Sequence, residues 1–161
     1  MKITKNTKGI IDEGYQYKYE GDLISDEELE IDLDMGLYVT GSIEAGGSIE
    51  AGGWIEAGDS IEAGDSIEAG GWIEAGDYYG ISAGLYITCK GTLSCGLNIY
   101  AGICTWKIPE PEERTITCSK LIKGSVEYGI LKETGIEETI IGKEVEVKID
   151  GKKYKAVIKE A

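Results

Sequence analysis

From Ile43 to Tyr78 the chain repeats one six-residue phrase, Ile-Glu-Ala-Gly-(Gly or Asp)-(Ser or Trp). Ile43, Ile49, Ile55, Ile61, Ile67 and Ile73 recur at that spacing. Polarity alternates around each of them. In Trp54-Ile55-Glu56-Ala57 the isoleucine and alanine share one side, the tryptophan and glutamate the other. A period of two is strand geometry. Gly58 and Asp59 then interrupt it, as turn-forming residues do. Each phrase therefore predicts a very short strand followed by a bend. Short strands with regular bends and a fixed small period predict a solenoid.

A longer period lies over the first. Trp54 and Trp72 are 18 residues apart, as are Asp59 and Asp77, so three phrases make one coil of triangular section. The pattern extends upstream through Ile31-Asp-Leu-Asp-Met-Gly and Leu37-Tyr-Val-Thr-Gly-Ser. Downstream, a two-residue insertion near Tyr79-Gly80 brings Ile81, Ile87, Leu93 and Ile99 back into phase. The inward columns are then Ile31/Ile49/Ile67/Ile87, Leu37/Ile55/Ile73/Leu93 and Ile43/Ile61/Ile81/Ile99. Every member is Ile or Leu. The fold class expected is all-β: a triangular parallel β-helix of about four 18-residue coils over 31–104, of either hand.

The flanks break the period. Residues 1–30 alternate weakly at Gly9–Gly14 and Tyr15–Tyr19, then give the acidic stretch Ser25–Glu30. They predict a strand or hairpin that caps the open end of the solenoid. Residues 105–161 predict a linker and a C-terminal β-hairpin cap. Trp106–Glu113 holds both prolines of the chain. Thr115–Ile122 and Ser125–Leu131 read as a hairpin about Lys123-Gly124. Glu144–Ile149 and Lys152–Ile158 read as a stronger one, because Asp150-Gly151 suits a tight turn. A short helix is expected between Glu133 and Ile140.

With 161 residues there is enough chain for one domain with a core. No stretch approaches the roughly 18 apolar residues of a membrane span. Met1-Lys-Ile-Thr-Lys lacks the apolar run of a signal peptide, so a cytoplasmic location is expected. Histidine is absent, and Cys89, Cys95, Cys104 and Cys118 form no Cys-x-x-Cys pair. Cys89 and Cys95 take the inward slot that alanine fills elsewhere, which predicts buried free thiols. A net charge of −14 disfavours direct contact with nucleic acid or anionic membranes. It favours a basic protein surface or cations.

The outward positions carry the candidate chemistry. Asp32/Glu50/Glu68, Glu56/Glu74 and Glu44/Glu62 are expected to form carboxylate ladders, with no Lys or Arg from Met35 to Cys89. Catalytic carboxylates need contrasting environments to separate their pKa values, and these are repeated and outward. Asp59, Asp65 and Asp77 sit at bends, where aspartate bonds nearby backbone. No catalytic, cofactor-binding or metal residue is therefore expected. Trp54 and Trp72 should point outward in one column, with Tyr78, Tyr79, Tyr86 and Tyr100 around later coils. An exposed aromatic strip marks a contact surface. The residues expected to bind a partner are Asp32, Glu44, Glu50, Glu56, Glu62, Glu68, Glu74, Trp54 and Trp72.

Over 31–106 the repeat resembles hexapeptide-repeat parallel β-helices. Left-handed acyltransferases of that kind place a small residue four after the inward one and use a histidine base. Here that place holds Gly or Asp, and no histidine exists. The Ile-Glu-Ala-Gly-Gly phrasing looks closer to bactofilin-like polymer-forming proteins. It also resembles uncharacterised phage or prophage repeat proteins, in which the run precedes a segment like Ile99-Tyr-Ala-Gly-Ile-Cys-Thr-Trp. Three functions follow as expectations. The first is a non-catalytic acidic protein that docks on a basic partner, as a phage-encoded inhibitor or a nucleic-acid mimic would. The second is a bactofilin-like self-assembling protein, joined through the aromatic strip or the coil ends. The third, disfavoured without histidine, is an acyl- or nucleotidyltransferase relative.

Overall fold

A computed structural model describes residues 1–135, together with 144–149 and 152–157. Each Ile-Glu-Ala triplet forms one three-residue strand: Ile43–Ala45, Ile49–Ala51, Ile55–Ala57, Ile61–Ala63, Ile67–Ala69 and Ile73–Ala75. Three strands complete a turn, since Ile61 pairs with Ile43 and Ile67 with Ile49, all in parallel. The chain is a parallel β-helix.

Its strands form three faces. The first face is a seven-stranded sheet running from Lys2–Ile3 through Ile49–Ala51 to Ile130–Glu133. The second and third faces merge into an eleven-stranded sheet. They merge because Thr92–Ala101 stays extended across a corner, pairing with Ile73 through Leu93 and with Ile81 through Ile99.

The core is made of stacked columns. Leu29/Ile49/Ile67/Ile87/Ile116, Leu37/Ile55/Ile73/Leu93 and Ile43/Ile61/Ile81/Ile99 are essentially inaccessible to solvent. Two residues further on, the strands of the repeat place Ala or Cys inward, as at Ala57, Ala75 and Cys95, while Ile31 and Val39 take that place nearer the N-terminal end. Two apolar residues per strand fill the narrow interior, at close to 0.8 kcal/mol per buried methylene, roughly.

The corners explain the glycine that follows each alanine. A Cβ on Gly64 would lie 2.0 Å from the Gly46 carbonyl oxygen, and one on Gly70 2.1 Å from that of Gly52. Neither glycine needs a positive φ. What excludes a side chain is the approach of the coil beneath. Hydroxyls stack beside them, Ser48 on Ser66 at 3.0 Å and Ser42 on Ser60 at 3.3 Å.

The insertion expected at Tyr79-Gly80 is present, since Ile61 pairs with Ile81. A second one, not foreseen, lies between Ile31 and Leu37. Leu29, not Ile31, stands under Ile49, and Ile31 stands under Ala51. Leu29, Ile31, Leu33 and Met35 alternate with polar residues, so a slip of two positions leaves the same side inward. Ile31 is buried all the same, in the small column above Ile3.

The parallel ladder continues beyond 31–104 in both directions. At the N-terminal end, Tyr17–Tyr19 and Leu23–Ser25 pair with Leu37–Val39 and Ile43–Ala45. The hairpin expected there exists: Ile10–Asp12 pairs antiparallel with Tyr17–Tyr19 and closes that face. At the C-terminal end the expected hairpin of 115–131 is not formed. Thr115–Cys118 pairs in parallel with Ile87–Cys89 and with Ile130–Glu133, while Lys120–Tyr128 lies parallel to Thr92–Ala101. Ile116, Leu121, Val126 and Leu131 thereby prolong the three columns, which a two-stranded hairpin would leave without a floor. The proline-containing stretch is a loop thrown out of one coil, with a 3-10 turn at Pro111–Arg114. Glu133 ends a strand, and most of the short helix expected up to Ile140 lies outside the described residues. Glu144–Ile149 and Lys152–Val157 pair antiparallel, as the Asp-Gly turn predicts.

Glycine replacements test the stacking. Gly70→Ala should lower stability by about 1–3 kcal/mol, as overpacking does. At Gly52 a Cβ meets only the Leu33 carbonyl oxygen at 3.7 Å. Gly52→Ala should therefore be neutral or stabilising by under about 1 kcal/mol, through the unfolded chain. Denaturant unfolding of both variants checks this, and equal effects would refute the corner geometry.

Candidate docking faces and the carboxylate belt

The register converts repeated glutamates into a belt. On the first face Glu30, Glu50 and Glu68 stack, followed by Thr88 and Thr117. On the second, Glu56 and Glu74 lie between Tyr38 and Ser94. On the third, Glu44 and Glu62 lie between Ile24 and Ser82. Glu44, Glu50, Glu56, Glu62, Glu68 and Glu74 are thus brought together around the middle of the helix, two to a face. Asp32 is not among them. The two-residue shift puts Glu30 in its place, and Lys2 bridges both, 2.7 Å from Glu30 and 2.9 Å from Asp32.

Stacked carboxylates repel. The Glu50 carboxyl is pushed above its ordinary range, chiefly by partial burial and then by Glu28, Glu68 and Glu30. Glu56 is pushed up by burial and by Glu74. Glu68 accepts a hydrogen bond from the Tyr86 hydroxyl. Among the described residues the ion pairs involve Glu30, Asp32, Glu20, Glu113 and Asp77, and none reaches the six belt glutamates.

Trp54 and Trp72 stack face to face, centroids 4.6 Å apart and planes 9° from parallel. Their column runs along the edge of the second face. Gly36 lies beneath it, where a Cβ would sit 2.0 Å from the Trp54 ring. The tyrosines do not extend this strip. Tyr78 and Tyr79 belong to the inserted loop, Tyr86 leads into the first face, and Tyr100 stands on the third, bonded to Asn98. The long loop adds an aromatic group that the repeat gave no reason to single out. Trp106, which is exposed, and Ile103 border a hollow over Glu44, Glu62 and Asp65.

Asp77 pairs with Lys123 at 2.6 Å rather than with local backbone. Among the described residues no three His, Cys, Asp or Glu side chains are grouped to hold a metal ion. No helix there is long and apolar enough to cross a membrane. Cys89, Cys95 and Cys118 are buried and unpaired. Burial pushes the Cys89 thiol up to about 12 and raises Cys95 and Cys118 as well. Comparison with known protein families, curated proteins and solved structures returned no match.

Two outcomes follow from these environments. A thiolate-directed alkylating reagent should label Cys104 in the folded chain, and the other three cysteines only after unfolding. Mass spectrometry of labelled peptides reads this, and native labelling of Cys89 would contradict it. The raised Glu50 and Glu56 hold protons more firmly folded than unfolded, so stability should rise as pH falls from neutral toward the ordinary glutamate range. Asp77 and Glu113, held low by hydrogen bonds from Lys123 and Lys107, oppose this only below that range. The thermal midpoint should climb on acidification, and Glu50→Gln with Glu56→Gln should flatten the climb.

Proposed function

We propose that the protein is a non-catalytic binding module whose carboxylate belt docks on a basic protein surface. The observation that carries this reading is the unneutralised belt: six outward glutamates in two successive turns, without a cationic partner among the described residues. The stacking follows from the repeat itself; what supports a docking role is that no Lys or Arg interrupts it from Met35 to Cys89. Complementary charge sets association rate and partner choice. The hollow beside Ile103 and Trp106 supports it too, by placing apolar contact area next to Glu44 and Glu62. A cytoplasmic partner is the natural one for a chain with free, unpaired thiols. The belt has the charge of a nucleic-acid backbone, which suits an inhibitor of a nucleic-acid-binding protein. Polymer formation of the bactofilin kind is less well supported, because an antiparallel hairpin covers one of the three faces at the N-terminal end.

Basic proteins captured by the wild-type chain, and by the double variant Glu50→Lys with Glu68→Lys, test the proposal. The substitutions relieve repulsion, so the variant should be at least as stable as the wild type. Its affinity for the captured partner should fall roughly tenfold or more, about 1.4 kcal/mol. Raising salt should weaken wild-type binding, since exposed charges are screened over about 8–10 Å at physiological ionic strength. A partner indifferent to both the substitutions and the salt would overturn the reading.

A further inference from the structure

The two ends of the β-helix are finished differently. At the N-terminal end Ile3, Tyr17 and Leu23 are each at most 3% exposed, and the hairpin strand Ile10–Asp12 covers the edge of the second face. At the other end the last strands, Lys120–Tyr128 and Ile130–Glu133, have a coil beneath them and no further partner among the described residues. The columns register the difference. Ile116 is 0% exposed, whereas Leu131, one step further along the same column, is 38% exposed. Leu121 and Val126 are likewise only partly buried, although Leu93 and Ile99 beneath them are fully so. Unpaired strand edges beside exposed apolar side chains invite association with any free strand.

The chain itself supplies a candidate for this end. Thr134 and Gly135 donate backbone hydrogen bonds to the Cys118 and Ser119 carbonyls, so residue 135 lies beside the open edge, and 26 residues follow it in the sequence. Within them Glu144–Ile149 and Lys152–Val157 pair antiparallel. Along the sequence Val145, Val147 and Ile149 alternate with charged residues, and their register partners include Ala156 and Tyr154. The eight residues 136–143 reach up to about 26–29 Å, ample to bring the hairpin back over a coil edge. At the N-terminal end the second face already uses an antiparallel hairpin for the same purpose.

We propose that the open C-terminal coil, with Leu121, Val126 and Leu131, is a docking surface for the chain's own paired strands Glu144–Ile149 and Lys152–Val157. The hairpin acts in cis, which leaves the protein monomeric and its last strands shielded from a second copy.

Hydrogen exchange of the full-length chain, with sedimentation on the same samples, tests this. The wild type should be a monomer with amides of 130–133 protected. Val145→Lys with Val147→Lys should speed exchange there at least tenfold, while amides of 37–101 stay protected and so report an intact helix. Leu131→Lys, altering the other side of the contact, should instead release protection across 144–157. The proposal is overturned if 130–133 exchange freely in the wild type, or if the double variant leaves their rates unchanged. It is overturned equally if the wild type is a dimer or filament, which would assign the open end to a second copy.

Discussion

The constraint on which everything else depends is the distance between successive coils. Backbone hydrogen bonds hold each strand over the one beneath, at the spacing of any parallel ladder, roughly 4.8 Å. Identical strands can be stacked at that spacing only if nothing at the corners intrudes. Glycine at Gly64, Gly70, Gly76 and Gly84 meets the requirement, because each faces a carbonyl oxygen of the coil below. A column of Ile or Leu and a second column, Ile31 and Val39 at its N-terminal end and then Ala or Cys, fill the interior from Leu29 to Cys118. Insertions are accommodated where they fall between strands, at Tyr79-Gly80 and before Leu37, and the long loop before Thr115 is expelled without disturbing the columns.

The same stacking concentrates charge. A repeat that places glutamate once per phrase must place glutamate over glutamate once coils are superposed. The cost shows in Glu50 and Glu56, whose carboxyls are pushed upward by burial and by their stacked neighbours. The chain relieves this at its margins, where Lys2 bridges Glu30 and Asp32 and Lys123 holds Asp77, and among the described residues no ion pair reaches the middle turns. Stability and surface chemistry are therefore coupled: the ladder that builds the core also builds the belt. Neutralising the belt would favour folding, so the belt is a cost that the fold itself does not require.

Much of this was legible in the sequence. The six- and eighteen-residue periods carry the parallel β-helix, the inward isoleucines, the insertion at Tyr79-Gly80 and the pairings Glu44–Glu62, Glu50–Glu68 and Glu56–Glu74. These follow from local rules: alternation assigns sides, and strict repetition assigns neighbours. The antiparallel pairing of 144–149 with 152–157 was legible as well, from Asp150-Gly151.

Tertiary structure decided the rest, where local rules are degenerate. Alternation of period two cannot distinguish Leu29 from Ile31, since both face inward. The ladder selects Leu29 for the place beneath Ile49 and seats Ile31 between Ile3 and Ala51, a pairing made with the neighbouring strands and not along the chain. That choice removes Asp32 from the ladder and seats Glu30 there. In the same way, Thr115–Ile122 and Ser125–Leu131 carry the alternation of a hairpin. They lie parallel in successive strands because a finished coil offers each a ready edge and a hydrophobic floor, which they cannot provide for one another. Strand identity is local and can be read along the chain, whereas register and partner are set by what each strand is stacked upon.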